Sequence, residues 1–318
     1  MKHINVLYTL DHKYLRYMLA SLYSVLISNK DLNVTFHIIA DGFTKEDFKL
    51  VDQVVSSFDN ADVCFYDFNL IKDLIFKYHI PAWRESYVSN ARLFFDECIK
   101  NVDNLLYLDS DTLVVDSLAG LGAYEGAINM VRDSMSTTYW KGLDDTLNAY
   151  YNSGVLWVNM DKWHEKGCYD KLIKTMEKKT DYQFPDQDII NLALRNDINT
   201  LPANYDLLAT DAYFGINQLL RFYKHCHISR YSKKEMKDAR KNPIILHSIS
   251  IYGWQGWMLD TIHPYGKYYQ EYYEALGFSL EESNRHKIVN KDLYNFYIRA
   301  KFMCPDEIKK NVKKLLFK

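Results

Sequence analysis

Along the first hundred residues, apolar and polar positions change period in a repeating order. Ile4 to Thr9 is a mostly apolar run of strand length with Asp11 just beyond its end. From Tyr14 to Ile27, the residues Leu15, Met18, Leu19, Leu22, Tyr23 and Leu26 recur at helical spacing. Val34 to Ala40 predicts a second strand ending at Asp41-Gly42. Thr44, with Asp47 three residues on, reads as an N-cap ahead of a helix over Lys45 to Ser57. Ala61 to Tyr66 predicts a third strand, Ser89 to Ile99 a helix, and Leu105 to Leu108 a fourth strand. Strands alternating with helices imply parallel units joined by right-handed crossovers. Such sheets bind ligands at the carboxyl ends of their strands, where Asp11, Asp41 and Asp109 all fall.

Beyond Val115 the pattern loosens. Ala127 to Val131 and Asn152 to Asn159 read as strands, and Ser134 to Tyr150 as a loop over the crevice. Asp161 to Lys179 predicts one helix, and a second begins at Pro185, with Asp186 near its N-terminus. Pro243 to Leu246 is an apolar run ending in His247. From about residue 279 the chain becomes basic and aromatic: Arg285, Lys287, Arg299, Lys309 and Lys313 are interleaved with Tyr294, Phe296 and Phe302. That tail either lies on an anionic membrane surface or packs the apolar side of a solvated helix on the domain. The expected organisation is a main domain over residues 1–278 and a helical appendage over 279–318.

The strongest chemical signal is Leu105-Leu106-Tyr107-Leu108-Asp109-Ser110-Asp111-Thr112-Leu113. Two acids interrupt an apolar run, and their mutual repulsion calls for a cation between them. Mg2+ or Mn2+ prefers such oxygen ligands and completes its shell with substrate phosphate. The competing reading is a solvated Asp-Ser-Asp turn.

Composition narrows the field. A chain of 318 residues with 25% charged positions suits one large soluble α/β domain with or without an appendage. A net charge of -2 supplies no basic field, so nucleic acid is not an expected partner. Five widely spaced cysteines without metal or redox spacing fit a reducing cytosol. Met1-Lys2-His3 runs directly into the first strand with no signal peptide, and no apolar stretch has the length of a membrane span. Neither a Gly-x-Gly-x-x-Gly nor a P-loop is present.

Taken together, Ala91-Arg92-Leu93, Leu106-Tyr107-Leu108-Asp109-Ser110-Asp111, Tyr151-Asn152-Ser153-Gly154-Val155 and Asp186-Gln187-Asp188 resemble glycosyltransferase family 8 in order and spacing. That family includes bacterial lipopolysaccharide galactosyl- and glucosyltransferases and glycogenin, and the similarity covers about residues 1–275. It implies a GT-A (Rossmann-like) α/β fold, with a mostly parallel sheet flanked by helices. It also implies a UDP-sugar donor carrying glucose or galactose, Mn2+ (or Mg2+) as cofactor, retention of anomeric configuration, and a glycan, glycolipid or glycoprotein acceptor. The cytoplasm or the inner membrane face is the implied location.

By the resemblance, Thr9, Asp11 and Tyr14 sit at the uracil end. Asp109, Asp111 and His247 hold the metal, with Ser110 between the two aspartates. Arg92 reaches the donor sugar and phosphates. Asn152, Gly154, Asp186 and Gln187 surround the sugar, and Gln187, Asp186 and Arg92 are the implied catalytic set. The family's His-x-x-Gly-x-x-Lys-Pro-Trp is not kept: Ser250 stands at the glycine position and Gly253 at the lysine position, and Lys267 is a candidate substitute. Two rival readings remain. One is a haloacid-dehalogenase-type phosphatase, whose motif is also Asp-x-Asp after a strand, with Asp144-Asp145 as the later acidic pair. The other is a sugar-nucleotide-binding protein without transferase activity.

Overall fold

The computed structural model describes residues 2–282 apart from 84, 136, 179–180, 218, 220–230, 251–254 and 260. A seven-stranded sheet runs in the order β3-β2-β1-β4-β7-β6-β8. Its strands are β1 (His3–Asp11), β2 (Asn33–Asp41), β3 (Ala61–Asp67), β4 (Asn104–Leu108), β6 (Ile128–Arg132), β7 (Tyr151–Asn159) and β8 (Ile198–Thr200). β1 is parallel to both β2 and β4, and β2 is parallel to β3, whereas β7 is antiparallel to β4 and β6. The chain first builds outward from β1 to β3, then returns to β4 on the other side of β1. That reversal opens a crevice at the carboxyl ends of β1 and β4. The expected mostly parallel α/β sheet flanked by helices is therefore present.

The runs read as unbroken apolar strands because both faces of the sheet are covered. On β1, Ile4, Val6, Tyr8 and Leu10 join one core layer and Leu7 the other; on β4, Leu106 and Leu108 oppose Leu105 and Tyr107. Each such side chain stabilises the fold by roughly 1.5–3 kcal/mol when fully buried. A one-residue slip would exchange the layers, so packing locks the register. That register turns Tyr107 and Thr9 toward the same face, and their hydroxyls meet at 3.3 Å.

Helix α1 (Leu15–Ser28) follows β1, and α2 (Lys45–Val55) begins with the expected capping box of Thr44 and Asp47. Three expectations need correction, and one helix was not foreseen. The helix read over Ser89 to Ile99 is a 3-10 helix, Val88–Phe94, followed by a single α turn, α4 (Phe95–Cys98). All of the 3-10 segment's residues but Ser89 are buried, and side-chain bonds from Asn90 to Pro81 O and from Arg92 to Ser153 O bind the segment to its surroundings. The helix read over Asp161 to Lys179 is two, α6 (Met160–Glu165) and α7 (Cys168–Lys178), because Gly167 adopts φ 58° and terminates the first. Ser134 to Tyr150 contains a helix, α5 (Thr137–Leu143), and α3 (Asn69–Lys77) went unread. In α3 only Ile71 and Ile75 are buried, while Leu70 is 66% exposed.

A second sheet of three short strands adjoins the crevice: β5 (Thr112–Val114), β10 (Ile245–His247) and β9 (Leu207–Leu208). Residues 283–318, with most of the predicted tail, lie outside the described residues. Among the described residues no helix is long and apolar enough to cross a membrane.

His37 ties the first three strands together: its Nε2 donates to Asn5 Oδ1 at 3.0 Å and its Nδ1 lies 2.9 Å from the Tyr66 hydroxyl. Burial, assisted by His3, holds the imidazole down from 6.5 to about 4. Because the folded value is the lower one, His37 contributes full stability above pH 6.5 and loses it as pH falls toward 4. One proton costs at most about 1.4 kcal/mol per pH unit in that window. Denaturant midpoints measured across it should fall, and His37→Gln should flatten the slope; an unchanged slope in the variant would refute this assignment.

Candidate functional site

The two aspartates of the acidic motif lie in a tight turn leaving β4. Asp109 N donates to Gly154 O on β7, and Thr112 closes the turn with its N–H and hydroxyl on Asp109 O at 3.0 and 2.8 Å. Thr112 opens β5, which pairs antiparallel with β10 so that Thr112 faces His247. This register carries the imidazole across the turn: His247 Nε2 lies 3.3 Å from Asp111 Oδ1 and 3.7 Å from Asp109 Oδ2. The ligating atoms of the three residues fall within 4.8 Å of one another. Ser248 N and the Tyr269 hydroxyl grip Asp111 O at 2.9 and 3.0 Å. Burial disfavours the imidazolium, yet Asp206 and Asp111 outweigh it and hold His247 well above its ordinary value. Burial raises Asp111, but the adjacent His247 brings it below the usual carboxylate range.

Gly154 explains why the three groups can meet. A Cβ there would stand 2.2 Å from His247 Cε1 and 2.9 Å from Asp109 Oδ2, so no larger residue fits without moving them. Carboxylates and an imidazole around a close-fitting gap form a donor set suited to a divalent cation.

Arg92 sits behind this group, only 5% exposed. Its NH2 contacts Asp109 Oδ1 at 2.7 Å, its NH1 lies 3.2 Å from Asp186 Oδ2 and donates to Ser153 O, and its Nε donates to Ser89 O. The guanidinium also stacks 4.2 Å above the Tyr107 ring, whose hydroxyl donates to Asp109 Oδ1 at 2.7 Å. Arg92 therefore lines the crevice with each of its three nitrogens already engaged. Burial works against its charge, but Asp109 and Asp186 raise its affinity for the proton further.

The far wall comes from β7 and α8 (Pro185–Ala193). Asp186 Oδ2 accepts from Ser153 Oγ at 2.9 Å. Gln187 Oε1 accepts from Ser153 N at 3.0 Å, and Nε2 donates to Asp133 Oδ2 at 3.3 Å. Asn152 bridges Gly154 N and Asp133 Oδ2 at 2.8 and 2.7 Å. Asp188 is fully buried and accepts from the Tyr139 and Tyr150 hydroxyls and Phe184 N, which places it in the framework of α8.

These residues surround a crevice of about 500 Å³. Its lining includes Thr9, Asp11, Tyr14, Arg92, Asp109, Ser110, Asp111, Asn152, Asp186, Gln187, His247 and Ser250, each picked out in the sequence, with Gly154 packed beneath. Asp11 Oδ1 also caps the turn after β1 by accepting from Lys13 N, and Tyr14 is 39% exposed at the rim. The sequence reading missed Lys13, Trp83 and Asp133, which also line the crevice. Asp133 had a signal, an acid just past a predicted strand. Lys267 does not line the crevice; its Nζ lies over Tyr268. Trp140 and Trp257 are buried core residues, whereas Gly253 and Trp254 fall outside the described residues. Asp144 is paired with Arg195, away from Asp109 and Asp111, so the acidic pair a phosphatase would need is not at this site.

Comparison with known proteins agrees with this geometry. The model of "Glycosyl transferase family 8" matches residues 5–253. A lipopolysaccharide 1,2-glucosyltransferase of Escherichia coli is 30% identical over 217 residues, 65% of this chain and 63% of that protein, so the chain spans under two thirds of that relative. The glycosyltransferase GlyB of Streptococcus pneumoniae is 23% identical over 255 residues, 79% of this chain and 57% of that protein. Among solved structures, the galactosyltransferase LgtC in complex with donor and acceptor sugar analogs superposes with a TM-score of 0.63 at 20% identity, covering 92% of this chain and 99% of that one, a likeness of fold. The chain belongs to glycosyltransferase family 8.

Proposed function

We propose that this chain is a retaining hexosyltransferase that moves glucose or galactose from a UDP-sugar to a saccharide, lipid-linked or glycoprotein acceptor, with Mn2+ or Mg2+ held by Asp109, Asp111 and His247. The observation that carries the reading is the convergence of those three side chains on the same crevice as Asp186 and Gln187. When bound, the cation would supply Lewis-acid stabilisation of the charge on the departing diphosphate. At the other end, Asp11 would accept a base N–H and the Tyr14 ring would offer a stacking face. Thr9 links this end to Asp109 through the Tyr107 hydroxyl.

Both contacts of Asp186 described above use Oδ2, which leaves Oδ1 for sugar hydroxyls. Arg92 holds Asp109 and Asp186 at a fixed separation, so it acts on the donor by placing its partners. A double displacement needs a carboxylate at the anomeric carbon. Position 187 offers an amide, and Asp188 is enclosed by tyrosines. Attack on the same face as the leaving group, with the departing phosphate as base, is the route these residues favour. The Gln187 carbonyl, whose Oε1 accepts from Ser153 N and lies 3.4 Å from Ser153 Oγ, would support the developing positive charge. The reaction is assigned to the cytoplasmic side, with residues 279–318 as a peripheral contact on anionic lipid. Co-sedimentation with anionic vesicles that survives deletion of that tail would refute the contact.

Incubation with a panel of UDP-sugars and Mn2+ should release UDP with one hexose donor preferred. Asp109→Ala and Asp111→Ala should each lower transfer by about a thousandfold, the scale of a lost electrostatic stabiliser, while circular dichroism stays unchanged. Full activity in either variant would remove the metal reading; tight UDP binding without turnover would favour the sugar-nucleotide-binding alternative. Gly154→Ala should keep the fold but weaken Mn2+ binding by about tenfold or more, the scale of losing ligand orientation. Isothermal titration would show this, and unchanged affinity would contradict the packing argument.

A further inference from the structure

We propose that Asp206 is a positioning residue for the cation site: its buried carboxylate takes the Nδ1–H of His247 and so aims Nε2 at Asp109 and Asp111. The inference rests on the reading of Asp109, Asp111 and His247 as metal ligands.

Asp206 follows a 3-10 turn, Ala203–Tyr205, and directly precedes β9. β9 runs parallel to β10, with Leu207 beside Leu246 and Leu208 beside His247, so the pairing brings Asp206 behind the imidazole. Its side chain is 0% exposed, and Oδ1 lies 2.9 Å from His247 Nδ1. The opposite nitrogen, Nε2, is the one near both motif aspartates. An imidazole presents its two nitrogens in divergent directions, and the bond made by one decides which remains for a metal. Here Asp206 makes that choice, and packing holds the ring in place. A ring flipped by 180° would set a C–H against a buried carboxylate, which is costly in a water-poor site. Gly154 packs against Cε1 closely enough that the ring has no slack on that side. Nothing in the sequence marks Asp206, because β9 is only two residues long and the contact spans 41 positions.

The test compares Asp206→Ala with Asp206→Asn, reading Mn2+ affinity by calorimetry rather than turnover. An amide oxygen can still accept the Nδ1 proton and an alanine cannot. Asp206→Ala should lose about 10–100-fold in affinity, the range for removing a partner that orients a metal ligand. Asp206→Asn should recover most of that loss. Affinity in the alanine variant within about twofold of the parent, or equal losses in both variants, would overturn the proposal. Should the alanine variant not fold, 15N spectra of the unaltered protein with Mg2+ decide the matter: protonated Nδ1 with Nε2 as ligand supports the proposal, and Nδ1 ligation refutes it. Failure of the underlying reading looks different, because then the unaltered protein binds Mn2+ no better than Asp109→Ala.

Discussion

Four carboxylates crowd the carboxyl end of β4 and the strand beside it: Asp109, Asp111, Asp186 and, behind the imidazole, Asp206. Arg92 and His247 are wedged among them, with contacts of 2.7 to 3.7 Å. Two like charges 4 Å apart repel by about 4 kcal/mol at an effective dielectric of 20. Such a cluster persists only where hydrogen-bond donors and positive charge are interleaved with it: the Arg92 guanidinium touches Asp109 and Asp186, and the His247 ring touches Asp109, Asp111 and Asp206. Even so, among the described residues Arg92 is the one permanent cation in contact with these four acids, so the acids outnumber it. The excess of acid and the three converging side chains give the gap between Asp109, Asp111 and His247 a donor set of the kind a divalent ion takes.

Arg92 shows how this constraint is met by one side chain. The family resemblance places Arg92 at the donor sugar and phosphates. In the structure its fork is spread over Asp109, Asp186 and two backbone carbonyls, and its face rests on Tyr107. A lysine could not hold two acids in one plane while stacking on a ring. The residue that joins Asp109 to Asp186 is thus one buried guanidinium.

What was legible in the chain followed burial. β1, β2 and β4 were readable because apolar residues cover both faces, and the α2 start was readable because Thr44 and Asp47 satisfy each other within one turn. Periodicity failed at Val88–Phe94, where a segment buried at all but Ser89 obeys its tertiary partners, and at Gly167, where a single left-handed residue divides a continuous pattern. The site divided along the same line. Asp109 and Asp111 stood out locally as charges at a strand end. His247 came from the family resemblance, since 136 positions separate it from Asp111. Lys13, Trp83 and Asp206 carried no local mark, because their place depends on strand pairing and loop closure.

An Asp-Ser-Asp turn is by itself an ordinary solvated feature. Here the small sheet β5-β10-β9 converts it into a site. β5 continues straight from the turn, so pairing with β10 fixes His247 opposite Thr112, and pairing of β10 with β9 fixes Asp206 behind it. Ser248 and Tyr269 then bind the carbonyl of Asp111, which ties the turn to the helix over Gly266–Ala275. The second half of the chain is accordingly the clamp that stops the motif from relaxing into water. The large sheet delivers the two acids to the crevice, and the small sheet determines that an imidazole, in one orientation, meets them there.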